Sequence, residues 1–335
     1  MSELKKILLN KISCKSVWFM RQAGRYLPEF KKIRSKNPNF INLCLNSELS
    51  SEITLQPIKR FDLDSAIVFS DILMVPYALG QNVTFIKDQG PRLEKFDMKY
   101  LLKTNKQEFS SKLSPVYKGI EITRKKLNKN KSLISFIGAP WTLLVYMLDL
   151  KKEKNQIDIN KIKNDNYNID FLIEELIKYL CIHIKNQINA GADVVQIFDS
   201  WAGLIPSKNI KQYCYIPNTK IVNFCKKENI PTICFPKGIK EKYEEFNSLV
   251  KPEGINIDAE IDPSWAKKKL TNVVLQGGLD PKILLKNDKE IFIEATKYIQ
   301  TFKDIPYIFN LGHGLLPETD PDKVEKLVNF YRNFK

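Results

Sequence analysis

Histidine is almost missing from this chain: two occur in 335 residues, so a histidine-rich metal centre is excluded, and no HExxH occurs. No GxxxxGK[ST] and no GxGxxG is present, which leaves nucleoside triphosphate and dinucleotide binding without a sequence handle. GxSxG is absent too, and no covalent nucleophile is indicated. The six cysteines form no CxxC pair and no secreted-module spacing, so free thiols in a reducing cytoplasm are expected. Cys181 and His183 are the one Cys/His neighbour pair, but two residues apart on a helical pattern they do not share a face. The N-terminal apolar run, Ile7 to Leu9, is too short for a signal-peptide core, and no arginine precedes position 21 as a transit segment would require. The longest uncharged stretch, Ser132 to Leu148, holds Pro140 at its middle and reads as a buried strand turning into a helix, not a membrane span.

Arginine is also scarce. The chain carries 46 Lys and 7 Arg against 38 acidic residues, a net charge of +15, together with 27 Asn. The lysines are spread along the whole length and form no basic stripe interleaved with aromatics, so the excess reads as compositional drift and no nucleic-acid partner is expected. Three of the seven arginines, Arg21, Arg25 and Arg34, nevertheless fall within 14 residues. Guanidinium forks bind carboxylate or phosphate bidentately, so this cluster suggests an anion site, with a pair of surface salt bridges as the alternative.

Short apolar, β-branched runs recur along the chain: Ala66 to Phe69, Leu133 to Ile137, Asp193 to Phe198, Thr232 to Phe235, Ile255 to Ile257, Val273 to Leu275 and Tyr307 to Phe309. Runs of this kind read as strands buried on both faces. Amphipathic helical segments lie between them, such as Phe171 to Asn189, Lys240 to Val250, Pro263 to Leu270 and Pro281 to Thr301. Seven strands alternating with helices favour a (β/α)8 TIM-type barrel, possibly distorted, over a doubly wound sheet, although an eighth strand is not evident. The charged stretches Lys103 to Lys131 and Lys151 to Lys163 read as helical insertions on the solvated surface. Asp71, Asp199-Ser200, Gly277-Gly278 and Gly312-His313-Gly314 all follow strand ends, which converge on one mouth in a barrel. From the residues alone, His313 is either a ligand contact or a turn histidine, and Asp71 either a site carboxylate or a helix N-cap.

The segments MRQAGRYLPEF, FSDIL, GAPWTLLVYM, QIFDSWAG, QGGLDP and FNLGHGLLPET, in this order, resemble the uroporphyrinogen decarboxylase family, and the resemblance runs from Trp18 to the C-terminus. It implies one barrel domain over residues 1–335, usually a homodimer, acting in the cytoplasm in tetrapyrrole (haem or chlorophyll) synthesis without metal or organic cofactor. The implied reaction converts the four acetate side chains of uroporphyrinogen III to methyls, giving coproporphyrinogen III and four CO2. In the roles implied by the resemblance, Asp71 accepts hydrogen bonds from the pyrrole N–H groups. Arg21 and Arg25 bind substrate carboxylates beside the backbone of Gln22, Ala23 and Gly24, with Arg34 as a further arginine near the site. Tyr146, Ser200 and His313 hydrogen-bond carboxylates. The proton donor is open between Arg21 and a substrate carboxyl or water relayed by Tyr146. The chain departs from the family pattern at Ala259, where tryptophan is common, and at Gly278, where asparagine is common. A corrinoid-linked methyltransferase is the rival reading within the superfamily, but its zinc-binding His-x-Cys does not occur here.

Overall fold

The computed structural model describes residues 1–86, 90–152, 156–164 and 167–334, without the side chains of 159, 163 and 164. Eight parallel strands run in one sheet: β1 (Ser16–Val17), β2 (Ser65–Ile67), β3 (Ser132–Gly138), β4 (Val194–Asp199), β5 (Thr232–Pro236), β6 (Gly254–Ile257), β7 (Val274–Gly277) and β8 (Tyr307–Phe309). From β2 to β8 each strand pairs with the next in sequence, and β1 pairs with β8, so the expected (β/α)8 order is met.

The strand missed in the sequence is β1, two residues long and followed by Trp18 rather than by a turn signal. It is also where the barrel is distorted. No ladder joins β1 to β2; Asp64 spans the seam instead. Its N–H donates to the Val17 carbonyl (3.0 Å) and its carboxylate accepts from the Val17 N–H (2.6 Å), while the other carboxylate oxygen takes the Arg332 guanidinium at 2.7 Å. A buried side chain therefore substitutes for a strand carbonyl, and the C-terminal helix Pro321–Asn333 supplies its counter-charge.

Inward-facing residues fill the barrel. Trp18, Ile67, Ile134, Val194, Ile233, Phe235, Val274 and Ile308 form its apolar interior. The N-terminal helix Glu3–Asn10 closes the lower end with Leu4, Ile7 and Leu8, its Leu4 N–H bonded to Ser132 Oγ at the start of β3. Gly254 makes room for this plug: a Cβ there would lie 2.9 Å from Leu8. One polar layer interrupts the apolar filling. Gln276 accepts from the Trp18 indole (3.0 Å) and donates to Asn256 (2.8 Å), so these buried polar groups satisfy one another.

Helices cover the outside. The segment around 103–131 is more than solvated surface: it contains the helix Lys106–Lys126, whose Phe109, Leu113, Val116 and Ile120 recur at helical spacing and are buried. That stripe packs on the helices Ser47–Arg60 and Ile169–Asn189. Lysines dominate its other face, which is why charge density concealed its contribution to the core. Two antiparallel hairpins, 83–86 with 90–93 and 151–152 with 156–157, follow β2 and β3. In the second charged stretch, 151–163, residues 153–155 lie outside the described residues. The uncharged stretch from Ser132 to Leu148 is β3 passing through Ala139 into the helix Pro140–Met147, as its proline predicts.

Candidate functional site at the barrel mouth

The loop after β1 carries the arginine pair. Arg21 adopts a left-handed conformation (φ 62°), an arrangement costing a non-glycine residue about 1 kcal/mol that is typical of functional turns. The turn is held from below by Gln22, fully buried, whose side chain accepts from the Phe19 N–H (2.9 Å) and donates to the Ser65 carbonyl of β2 (2.9 Å). The Gln22 side chain is thus a strut, leaving the backbone of Ala23 and Gly24 partly exposed above it.

The loop after β8 is shaped to fit this turn. A Cβ on Gly314 would fall 2.3 Å from Cδ of Arg21, so only glycine lets that side chain cross the loop. A Cβ on Gly312 would meet the backbone of Ala259 at 2.3 Å. The Leu315 N–H closes the union on the Met20 carbonyl (2.9 Å). Two of the segments that carry the family resemblance are thus one structural unit, with His313 held between two glycines forced by close approach.

Asp71 lies past β2. Its carboxylate accepts from the Leu73 N–H (2.8 Å), two residues on, while the helix that follows starts at Met74 with Leu73 as its cap. The N-cap alternative is therefore replaced by a local turn bond on one oxygen. Burial drives the Asp71 pKa up to about 6, against the opposing pull of that hydrogen bond and of Arg21. The guanidinium of Arg21 reaches solvent but is ringed by enough protein that desolvation, with Arg25 as neighbour, lowers its pKa. Tyr146, half-buried on the helix after β3, feels both Asp71 and Arg21, and burial raises its hydroxyl. His313 is pushed down to about 3 by burial and by the charges of Lys237 and Arg21, so its imidazole is neutral. Arg21, Arg25, Asp71, Tyr146 and His313 thus share one electrostatic neighbourhood.

Below the mouth, the half-buried rings of Phe136 and Phe198 meet edge to face (5.7 Å) on top of the barrel interior, giving the site an apolar floor. Ser200 is half-buried next to Trp201, whose ring packs edge to face on Tyr146 at 5.9 Å. Arg34 is not drawn into this cluster by any described contact. Its guanidinium donates to the Asn37 carbonyl and lies over the Phe40 ring, closing the end of its own helix. At the two departures from the family pattern, Gly278 sits at φ 100° with the Tyr298 ring 2.4 Å from where a Cβ would be, and Ala259 is the surface on which Gly312 rests.

Two further residues matter here: Asp199, marked in the sequence only by its place past a strand end, and Lys237, which nothing in the sequence singles out. Asp199, 1% exposed, accepts from the Thr142 hydroxyl (2.7 Å), and that hydroxyl accepts from the Trp201 N–H (3.2 Å), so a buried carboxyl braces the Ser200–Trp201 turn. Lys237, just past β5, reaches the same mouth as Arg21 and His313 but was one lysine among 46. The other histidine, His183, lies between Tyr117 and Gln187 in the helical layer, far from any cysteine cluster. Among the described residues no three His, Cys, Asp or Glu side chains come together as a metal-binding group.

With this geometry established, comparison with known proteins is specific. Residues 7–334 match the family model described as uroporphyrinogen decarboxylase (URO-D). The proteins named uroporphyrinogen decarboxylase from Orientia tsutsugamushi (strain Ikeda) and Rickettsia felis are 42% and 40% identical over 323 and 329 residues, covering 95% of this chain and 94% and 93% of those proteins. The one from Jannaschia sp. is 38% identical over 323 residues, covering 95% of this chain and 94% of that protein. Among solved structures, a methyltransferase from Methanosarcina mazei superposes with a TM-score of 0.73 at 16% identity, covering 99% of this chain and 97% of that one, a likeness of fold alone. Matched along nearly its whole length by the family model and by relatives at about two-fifths identity, the chain belongs to the uroporphyrinogen decarboxylase family.

Proposed function

We propose that this protein is a carboxy-lyase that converts the four acetate side chains of uroporphyrinogen III to methyl groups, yielding coproporphyrinogen III and four CO2. The observation carrying this reading is a half-buried carboxylate, Asp71, set among Arg21, Arg25 and a neutral His313 over an apolar floor. A macrocycle with eight carboxylates at its rim and four N–H groups at its centre has the complementary charge pattern. Its acid arms meet the guanidiniums and its centre meets Asp71.

Protonation of a pyrrole carbon makes that ring an electron sink. The C–C bond to the carboxylate then breaks, CO2 leaves, and the electron pair is taken up by the ring. A proton delivered to the exocyclic carbon gives the methyl group, and the ring carbon then releases the proton it took up, so each cycle consumes one proton net. Asp71 offsets the developing positive charge, and its partial desolvation strengthens that interaction. Its pKa near 6 leaves it ionised at neutral pH. Arg21 and Arg25 hold carboxylates bidentately, while Tyr146, Ser200 and His313 hydrogen-bond others. Desolvation makes Arg21 a better proton donor and Tyr146 a poorer one than each is in water. Arg34, committed to its own helix end, contributes at most field. We further propose one domain over residues 1–335, a homodimer working in the cytoplasm in porphyrin synthesis, and turnover without metal or organic cofactor. The match over 7–334 supports the first, and no helix among the described residues is long and apolar enough to cross a membrane.

The test is anaerobic incubation of the purified protein with uroporphyrinogen III, without added metal, followed by chromatography of the oxidised products. Stepwise appearance of hepta- to tetracarboxylate porphyrins is expected; an unchanged octacarboxylate would overturn the proposal. Sedimentation at micromolar concentration tests the dimer.

A further inference from the structure

Lys237 lacks a counter-ion where one would be expected. It is the first residue past β5, and its backbone is clamped between neighbouring loops. Its N–H donates to the Asp199 carbonyl (3.1 Å), its carbonyl accepts from the Gly203 N–H (2.9 Å), and the next N–H, of Gly238, donates to Asp258 (2.8 Å). Gly203 and Gly238 approach so closely that a Cβ on Gly203 would lie 2.5 Å from the Gly238 carbonyl oxygen, which fixes the pedestal. The side chain is half-buried, in the field of Arg21 and close enough to His313 to hold its pKa down.

Many lysines in this protein sit at the surface paired with glutamate, as Lys118 does with Glu121 at 3.0 Å. Lys237 forms no ion pair within 4.0 Å among the described residues. The nearest anions, Asp258 and Glu260, offset its charge only in part against desolvation and Arg21. Asp258 is occupied, one oxygen accepting from Gly238 N–H and the Tyr243 hydroxyl (3.1 Å), the other from the Glu260 N–H (3.3 Å). Glu260 itself is exposed to solvent. A partly desolvated ammonium beside a guanidinium raises the free energy of the empty site, and an incoming carboxylate removes that cost.

We propose that Lys237 is a carboxylate-binding residue of this site, holding one acid arm of the substrate beside Arg21 and His313. The inference rests on the decarboxylase reading for the identity of the ligand, and on the unpaired cation for its place. The rigid loop gives the ammonium a fixed position, so binding loses little conformational freedom.

The test compares Lys237→Met, which keeps the length and apolar stem, with Lys237→Arg and with Lys118→Met, which removes one positive charge far from the mouth. For uroporphyrinogen turnover, Lys237→Met is expected to raise KM about tenfold, the loss of one charge-assisted hydrogen bond, with kcat within about threefold. Lys118→Met should stay within about threefold of wild type in both parameters, and Lys237→Arg should recover most of the KM lost in Lys237→Met. Lys237→Gln serves if the methionine variant fails to fold. Fluorescence-monitored binding of the oxidised octacarboxylate porphyrin reads the same contact without chemistry and should weaken by a similar factor. A KM and an affinity within about twofold of wild type, or an equal loss in Lys118→Met, would refute the assignment. A wild-type protein that binds this porphyrin but does not turn over uroporphyrinogen defeats the function reading alone, and the binding arm still decides on Lys237.

Discussion

Replacing Asp71 by asparagine is expected to make the protein more stable while disabling it. The carboxyl titrates near 6 in the folded protein against 3.8 in its ordinary state, chiefly because it is desolvated. Between those two values the folded state binds more protons than the unfolded one, so stability falls as pH rises through that window. Relative to low pH, the raised pKa of Asp71 lowers stability by about 1.5 kcal/mol at pH 5 and by about 3 kcal/mol above pH 7, from roughly 1.4 kcal/mol for each pKa unit. Asparagine is isosteric, can still accept from the Leu73 N–H, and removes the cost. Urea unfolding at pH 5 and pH 8 measures the difference. The variant should gain about twice as much over wild type at pH 8 as at pH 5, with equal m-values. Turnover of uroporphyrinogen should fall by at least about two orders of magnitude, in the range lost when one preorganised electrostatic group is removed. A variant no more stable than wild type at pH 8, or a gain independent of pH, would refute the claim that burial is what raises this carboxyl. Near-normal turnover would refute its electrostatic role.

Arg21→Lys should lose at least about tenfold in kcat/KM although charge is kept, since an ammonium cannot form the paired bonds of a guanidinium; steady-state kinetics with unchanged thermal stability is the check. Gly314→Ala should displace the Arg21 side chain, because a Cβ would overlap its Cδ, and lower kcat/KM about as much as Arg21→Lys does; full activity would show that the loop can move aside. Asp64→Ala should cost about 2 kcal/mol, by leaving the buried Val17 N–H unpaired at the β1–β2 seam while Arg332 keeps Asp62 as partner, a loss visible in urea unfolding with catalysis retained at low temperature.

Most of the barrel was legible because its strands are apolar runs bounded by glycine, proline or acidic residues, the pattern of strands buried on both faces. The strand that escaped notice, β1, has two residues and closes through the side chain of Asp64, a long-range device that leaves no local periodicity. The helix Lys106–Lys126 was half-read for a related reason: lysines on its outer face concealed the stripe from Phe109 to Ile120 that the core uses. At the site, the motif-bearing residues Arg21, Arg25, Asp71, Tyr146 and His313 lie within one another's field at the mouth. Arg34, a further arginine near the site by the family resemblance, has its guanidinium engaged at its own helix end.

What the chain of residues determined by itself is the architecture and the family. Hydrophobic periodicity encodes strands and helices locally, and segments such as MRQAGRYLPEF and LGHGLLPET carry family membership in residue identity alone. What only the tertiary structure decided is which groups share a field. Gly312 and Gly314 are glycine because the loops after β1, β6 and β8 meet there, Asp71 is pushed to about 6 because packing takes water from it, and Lys237 stands out because desolvation and Arg21 push its pKa down with no ion pair to answer it among the described residues. Desolvation and Coulomb interactions depend on distances between residues far apart in sequence, and folding alone sets those distances.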